Sequence, residues 1–103
     1  MKAIIKTDEI IINACKCGNI AVVASLAEGN SILNEIEQRG VSPLIVAAYH
    51  GQIGIVRYIL QHDCYIIDPE ILARSASVAK ETGNEKIRSI LTIYYIKYCR
   101  YSA

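Results

Sequence analysis

A chain of 103 residues has room for one small core and no second fold. Its make-up, 52% hydrophobic and 20% charged with a net charge of +1, excludes disorder by composition and excludes a polycation built to hold nucleic acid. No stretch approaches the roughly 20 consecutive apolar residues that a membrane span needs.

The N-terminal stretch MKAIIKTDEIIINACKCGN starts with a lysine and an apolar pair, but Lys6, Asp8 and Glu9 interrupt any secretory core before it forms. An intracellular, cytoplasmic protein without a membrane partner is therefore expected. Cys15, Cys17, Cys64 and Cys99 are expected as free thiols in a reducing compartment. Ala14 and Cys15 lie near the end of a first short helix. Gly18 turns the chain, and Val22, Val23 and Leu26 give the next helix an apolar stripe. The stretch GNSILNEIEQRGVS, Gly29 to Ser42, is too long for a plain helix-to-helix loop. It carries turn residues at Asn30, Ser31, Asn34 and Gly40, so an extended, hairpin-like finger is expected there.

The stretch SPLIVAAYHGQIGIVRYIL reads as two further short helices hinged at His50-Gly51. Ser42 is placed to cap the first, with Pro43 at the helical position where a missing N–H costs nothing. Downstream, Asp68 and Pro69 mark the start of a longer helix reaching about Thr82. After Gly83 a last helix repeats apolar residues at Ile87, Ile90, Leu91, Tyr94, Tyr98 and Tyr101. Ile93, Tyr95 and Ile96 fall elsewhere around the same helix, so it is apolar over more than one side.

These pieces share a period. Gly18, Gly51 and Gly83 are 33 and 32 residues apart, each followed by Asn or Gln, with Leu26, Ile59 and Leu91 eight residues further on. A short helix with small residues on one face admits a close neighbour, the glycine permits a left-handed turn, and a second apolar helix follows. One such pair cannot bury both its sides, so stacking supplies its core.

On these residues the sequence resembles the ankyrin-repeat family. The middle unit carries the family pattern in Gly40, Ser42, Pro43, Leu44, Ala47, Ala48, Gly51, Ile55, Val56, Ile59 and Leu60, with Asn34 at the usual finger asparagine. The resemblance implies an all-α solenoid of stacked helix-turn-helix pairs, with repeats at about 7–34, 35–67 and 68–103. The third repeat acts as a divergent cap with a truncated finger and a longer C-terminal helix. Ile45 stands where the family has histidine, so the turn before that helix is expected to be held by packing alone.

Candidate chemistry is sparse. Cys15 and Cys17, two apart on a helix, point to nearly opposite sides and cannot share a zinc ion, so Cys15 is expected to fill a small buried site. His62, Asp63 and Cys64 are adjacent and do not converge as a catalytic triad would. The resemblance puts a common histidine at His62 and a small buried position at Cys64. No cofactor, metal or enzymatic activity is expected. Tyr65, Tyr94, Tyr95, Tyr98 and Tyr101 combine apolar area with a polar tip suited to interfaces, and Tyr95 or Tyr101 is expected outside the core. Lys86, Arg88, Lys97 and Arg100 crowd the last helix, whereas Glu28, Glu35 and Glu37 cluster near the finger. The resemblance implies a protein partner held on a concave surface. The corresponding positions are Lys16 and Cys17, then Gln38, Arg39, Val41, Tyr49 and His50, then Glu81 and Thr82. Tyr95 and Tyr101 offer a second surface, to a partner or to another copy of the chain. The alternative, a nucleic acid on the basic last helix, is disfavoured by having only four cations there.

Overall fold

The computed structural model describes residues 5–99, which form seven helices and, among the described residues, no strand. In order they are α1 (Lys6–Cys17), α2 (Ile20–Ala27), α3 (Ile32–Gln38), α4 (Pro43–Tyr49), α5 (Ile53–Leu60), α6 (Pro69–Glu81) and α7 (Glu85–Cys99). Three antiparallel pairs, α1–α2, α4–α5 and α6–α7, stack in chain order. In the first row α4 packs between α1 and α6, and in the second row α5 packs between α2 and α7.

The glycine period is what joins the pairs. Gly18 and Gly51 have φ of 79° and 72°, the left-handed region that a side chain adopts only with strain. Each also lies beneath the residue that follows the next glycine. A Cβ at Gly18 would come 2.5 Å from the Gln52 side chain, and one at Gly51 would come 3.2 Å from the Asn84 amide. Asn19 and Asn84 cap their helices by accepting from Val22 N and Ile87 N. Gln52, one methylene longer, reaches back and donates to Lys16 O at 2.9 Å. The residue after each glycine thus caps its own helix as Asn and bridges two repeats as Gln.

The core is one continuous column. Ile11, Val23, Leu33, Leu44, Ile55, Ile59, Leu72, Ile87 and Leu91 are all essentially inaccessible to solvent. Ala14, Ala47 and Ala79, four residues before the three glycines, are buried as well and let the first-row helices approach closely. Cys15 is buried among them. Burial, and then the neighbouring Cys17, pushes its thiol up to about 12, so it behaves as a small apolar side chain.

The expected hairpin-like finger is corrected to a helix, α3. Asn30 and Ser31 serve as its entrance: the Asn30 amide oxygen accepts from Ile32 N, and the Ser31 hydroxyl donates to Glu35. Leu33 and Ile36 then fall on one face and are buried, which an extended strand would not achieve with this spacing. Gly40, at φ 108°, ends the excursion. Asn34 faces the other way, where its amide donates to Ile66 O and accepts from Ile66 N, tying the finger to the segment before α6.

The turn before α4 is also corrected. It is held by hydrogen bonds: Ser42 Oγ accepts from Ile45 N and donates to Glu37. Tyr65, grouped by sequence with the interface tyrosines, is only 7% exposed, and its hydroxyl donates to the same Glu37 oxygen. Glu37 therefore joins α3, the start of α4 and the approach to α6. Burial raises its pKa, the hydroxyls of Tyr65 and Ser42 lower it, and nearby Asp68 raises it, with a net upward result. The folded chain takes up this proton before the unfolded chain does. Its contribution to stability is thus least favourable at neutral pH and improves as pH falls through the raised value toward 4.5. Glu37→Gln, which keeps an acceptor and removes the charge, should be at least as stable as the parent at pH 7 in urea titrations. That advantage should fade as the pH approaches 4.5; a constant difference would contradict the assignment.

Candidate functional site

A groove of about 700 Å³ runs between α1 and the end of the finger. Its apolar lining comes from Ile5 and Ile12 on one side and Ile36 and Val41 on the other. Asp8, Glu9, Asn13, Lys16, Gln38 and Arg39 supply polar groups around it. The two walls are tied together by Arg39, whose Nε and Nη2 donate to the two Asp8 oxygens at 2.6 and 2.7 Å across 31 residues of chain. Such a two-point contact fixes the orientation of the guanidinium as well as its position.

A second cleft, about 490 Å³, lies on the other side of α4, lined by Ile45, Glu70, Ala73, Arg74, Ser77 and Val78. Between the two, at the C-terminal end of α4, stands Tyr49, 59% exposed, with the His50 ring edge-on at 5.1 Å. Lys16, Tyr49 and Glu81 each sit two residues before a glycine, at equivalent places on α1, α4 and α6. The exposed row across the first-row helices therefore runs from basic to aromatic to acidic.

Of the sequence candidates, Lys16, Gln38, Arg39 and Val41 come together in the first groove. Tyr49, His50 and Glu81 are exposed along the same row of helix ends. Cys17 and Thr82 are exposed too, but their polar groups turn back on their own helices, the thiol to Ala14 O at 3.8 Å and the hydroxyl to Val78 O at 2.9 Å. Tyr95, 43% exposed, is on α7 in the second row and shares no cleft with the others. Tyr101 lies outside the described residues. The groove residues that the sequence reading missed are Ile5, Asp8, Glu9, Ile12 and Asn13 on the α1 side and Ile36 on the finger. The period held their signal: Ile12, Ile45 and Ser77 stand six residues before the three glycines, and each lines one of the clefts.

The His62-Asp63-Cys64 stretch is structural. The His62 ring Nδ1 accepts from Cys64 N at 3.1 Å, which leaves Nε2 as the donor to Ala27 O at 2.7 Å. Nε2 thereby joins one pair to the next, while Nδ1 orders the loop that follows α5. Cys64, expected in a buried position, is only partly buried. Among the described residues no three His, Cys, Asp or Glu side chains are grouped to hold a metal ion, and no helix is long and apolar enough to cross a membrane.

Comparison with known proteins agrees with the stacked helical pairs. The family model for three copies of the ankyrin repeat matches residues 2–70. Ankyrin repeat family A protein 2 from Mus musculus, Bos taurus and Homo sapiens is 32% identical to the chain over 62 residues, 60% of this chain. The matched region is 19% of the length of each of those relatives. No solved structure gives a significant match.

Proposed function

The chain belongs to the ankyrin-repeat family, whose repeats are in general protein–protein interaction modules, and on that premise we propose that it is a small inhibitor or adaptor that holds a partner protein on its first-row face. The observation that carries this reading is the groove itself: an apolar lining with an ion-paired, preorganised rim beside an exposed tyrosine. Binding sites draw their energy from a few such apolar and aromatic anchors surrounded by polar groups.

The seven-residue extension of α7 past the 8-residue length of α2 and α5 is a second contact surface. It exposes Ile93, Tyr95, Ile96 and Tyr98, with Tyr94 stacked on Tyr98. Nucleic acid is the weaker reading of this helix, because Arg88 is paired with Glu85 and the Lys97 ammonium lies 5.5 Å from the Tyr98 ring centre. The thiols of Cys15, Cys17 and Cys64 are free, which supports a reducing compartment.

Affinity capture from the native cell with the unaltered chain identifies the partner, and the same capture with Val41→Glu and Tyr49→Ala tests the face. Each substitution at an exposed position should leave helicity intact and weaken capture by about tenfold or more, the scale of an interface hot spot. Undiminished capture by both would move the site elsewhere.

A further inference from the structure

One repeated position on the first-row helices carries a cation, an aromatic ring and an acid in turn: Lys16, Tyr49 and Glu81, all exposed and each two residues before its glycine. Among the described residues neither Lys16 nor Glu81 belongs to an ion pair. The other charges close by are placed or engaged differently. Glu9 is seven residues before Lys16, about 10 Å down the same helix, and lines the groove. Arg74 is as far from Glu81 and is paired with Glu70. Lys80 takes the place of buried Cys15 and Ala48, on the side of α6 turned away from α4. Glu85 is paired with Arg88, and Lys86 belongs to α7 in the second row.

The row is held in place before anything binds. Gln52 ties α4 to α1 by donating to Lys16 O, and the His50 ring meets Tyr49 edge-on at 5.1 Å. Contacts made from a fixed backbone lose less on binding than contacts that must first be ordered. Packed helices lie about 8–10 Å apart, so each step from α1 to α4 to α6 has that length. An extended chain of three residues per turn rises about 9 Å per turn and brings every third side chain to one side. Its turns match those steps. A flat strand returns a side chain to the same side after only about 6.6 Å and falls out of register with them.

We infer that, given the first-row face as the binding face, the bound segment of the partner is extended and carries opposite charges six residues apart. Its acid lies over Lys16, its base over Glu81 and an apolar residue midway on Tyr49. Charge decides this assignment, because a segment of one sign would meet a like charge at one end of the row. Either chain direction satisfies it, since all three contacts are made by side chains.

Three seven-residue peptides with blocked ends and serine spacers test the assignment. All have leucine at the fourth position; the first and seventh are glutamate and lysine, two glutamates or two lysines. Each is titrated to about 10 mM at low ionic strength against the labelled whole chain, with amide shifts as the readout. The unaltered chain should bind the mixed peptide at least about threefold more tightly than either like-charged one, the scale that two exposed charge pairs supply. Shifts are expected at 16, 49 and 81, and the preference should shrink as salt is added. Lys16→Glu should turn the preference to the two-lysine peptide and Glu81→Lys to the two-glutamate peptide, each with an unchanged helical spectrum. Equal binding of the three peptides, binding of none, or the parent's preference kept by both variants would each overturn the inference. Equal peptide binding beside weakened partner capture by Tyr49→Ala would sink the charge assignment and keep the face. Capture undiminished by both Val41→Glu and Tyr49→Ala would sink the face itself.

Discussion

Ala48→Lys is expected to detach the third hairpin from the stack and lower the melting temperature by on the order of 15 °C or more. Ala48 is fully buried in α4, the middle helix of the first row, and its equivalents in the other hairpins are buried Cys15 and exposed Lys80. A lysine is therefore harmless at the end of the column and costly inside it. Burying an unpaired ammonium costs about 3–5 kcal/mol, a large part of the 5–15 kcal/mol that holds a domain of this size. For a domain of about 100 residues each kcal/mol moves the midpoint by several degrees. Thermal melting followed by circular dichroism checks the size of the effect, and amide exchange should show α6 and α7 losing protection first. The reverse substitution, Lys80→Ala, should change stability by no more than about 0.5 kcal/mol, as exposed sites do. Similar effects from the two substitutions would mean that the hairpins do not share an interior in this order.

Tyr65→Ala should cost about 3–5 kcal/mol and Tyr65→Phe about 1–2 kcal/mol in urea denaturation. The alanine variant removes a large buried side chain beneath the finger. The phenylalanine variant removes only the hydroxyl that donates to Glu37, a carboxylate then left with Ser42 alone in a partly buried place. Burial, followed by the bond to Glu37, also holds the Tyr65 hydroxyl well above its usual pKa, so it remains a donor at any ordinary pH. Near-equal losses in the two variants would assign the whole effect to the hydrogen bond; a negligible loss in phenylalanine would remove Glu37 from the framework.

The helical pairs and their order were legible because glycine, small residues and caps recur at fixed offsets. Gly18, Gly51 and Gly83 needed a left-handed turn, and Ser42-Pro43 and Asp68-Pro69 start helices in the structure as their chemistry dictates. The finger was misread because Asn30 and Ser31, turn formers in isolation, also serve as helix entrances once Leu33 and Ile36 have a core to enter. Tyr65 was misplaced for a related reason. Its partner Glu37 is 28 residues away, and no local pattern says that a tyrosine hydroxyl will find a carboxylate inside. Half of the groove was visible through the middle repeat. On the α1 side only Lys16 was legible: Asp8 and Glu9 stood out as charges that break a leader segment, and the Asp8–Arg39 pair that frames the rim exists only after α1 and the finger are brought together.

The central claim, that the first-row face between α1 and the finger receives the partner, is tested most directly by amide chemical shifts of the labelled chain titrated with the partner that affinity capture yields. The largest perturbations are expected at 12–16, 38–41 and 45–50. Perturbations confined to 93–99, with those segments unmoved, would contradict it.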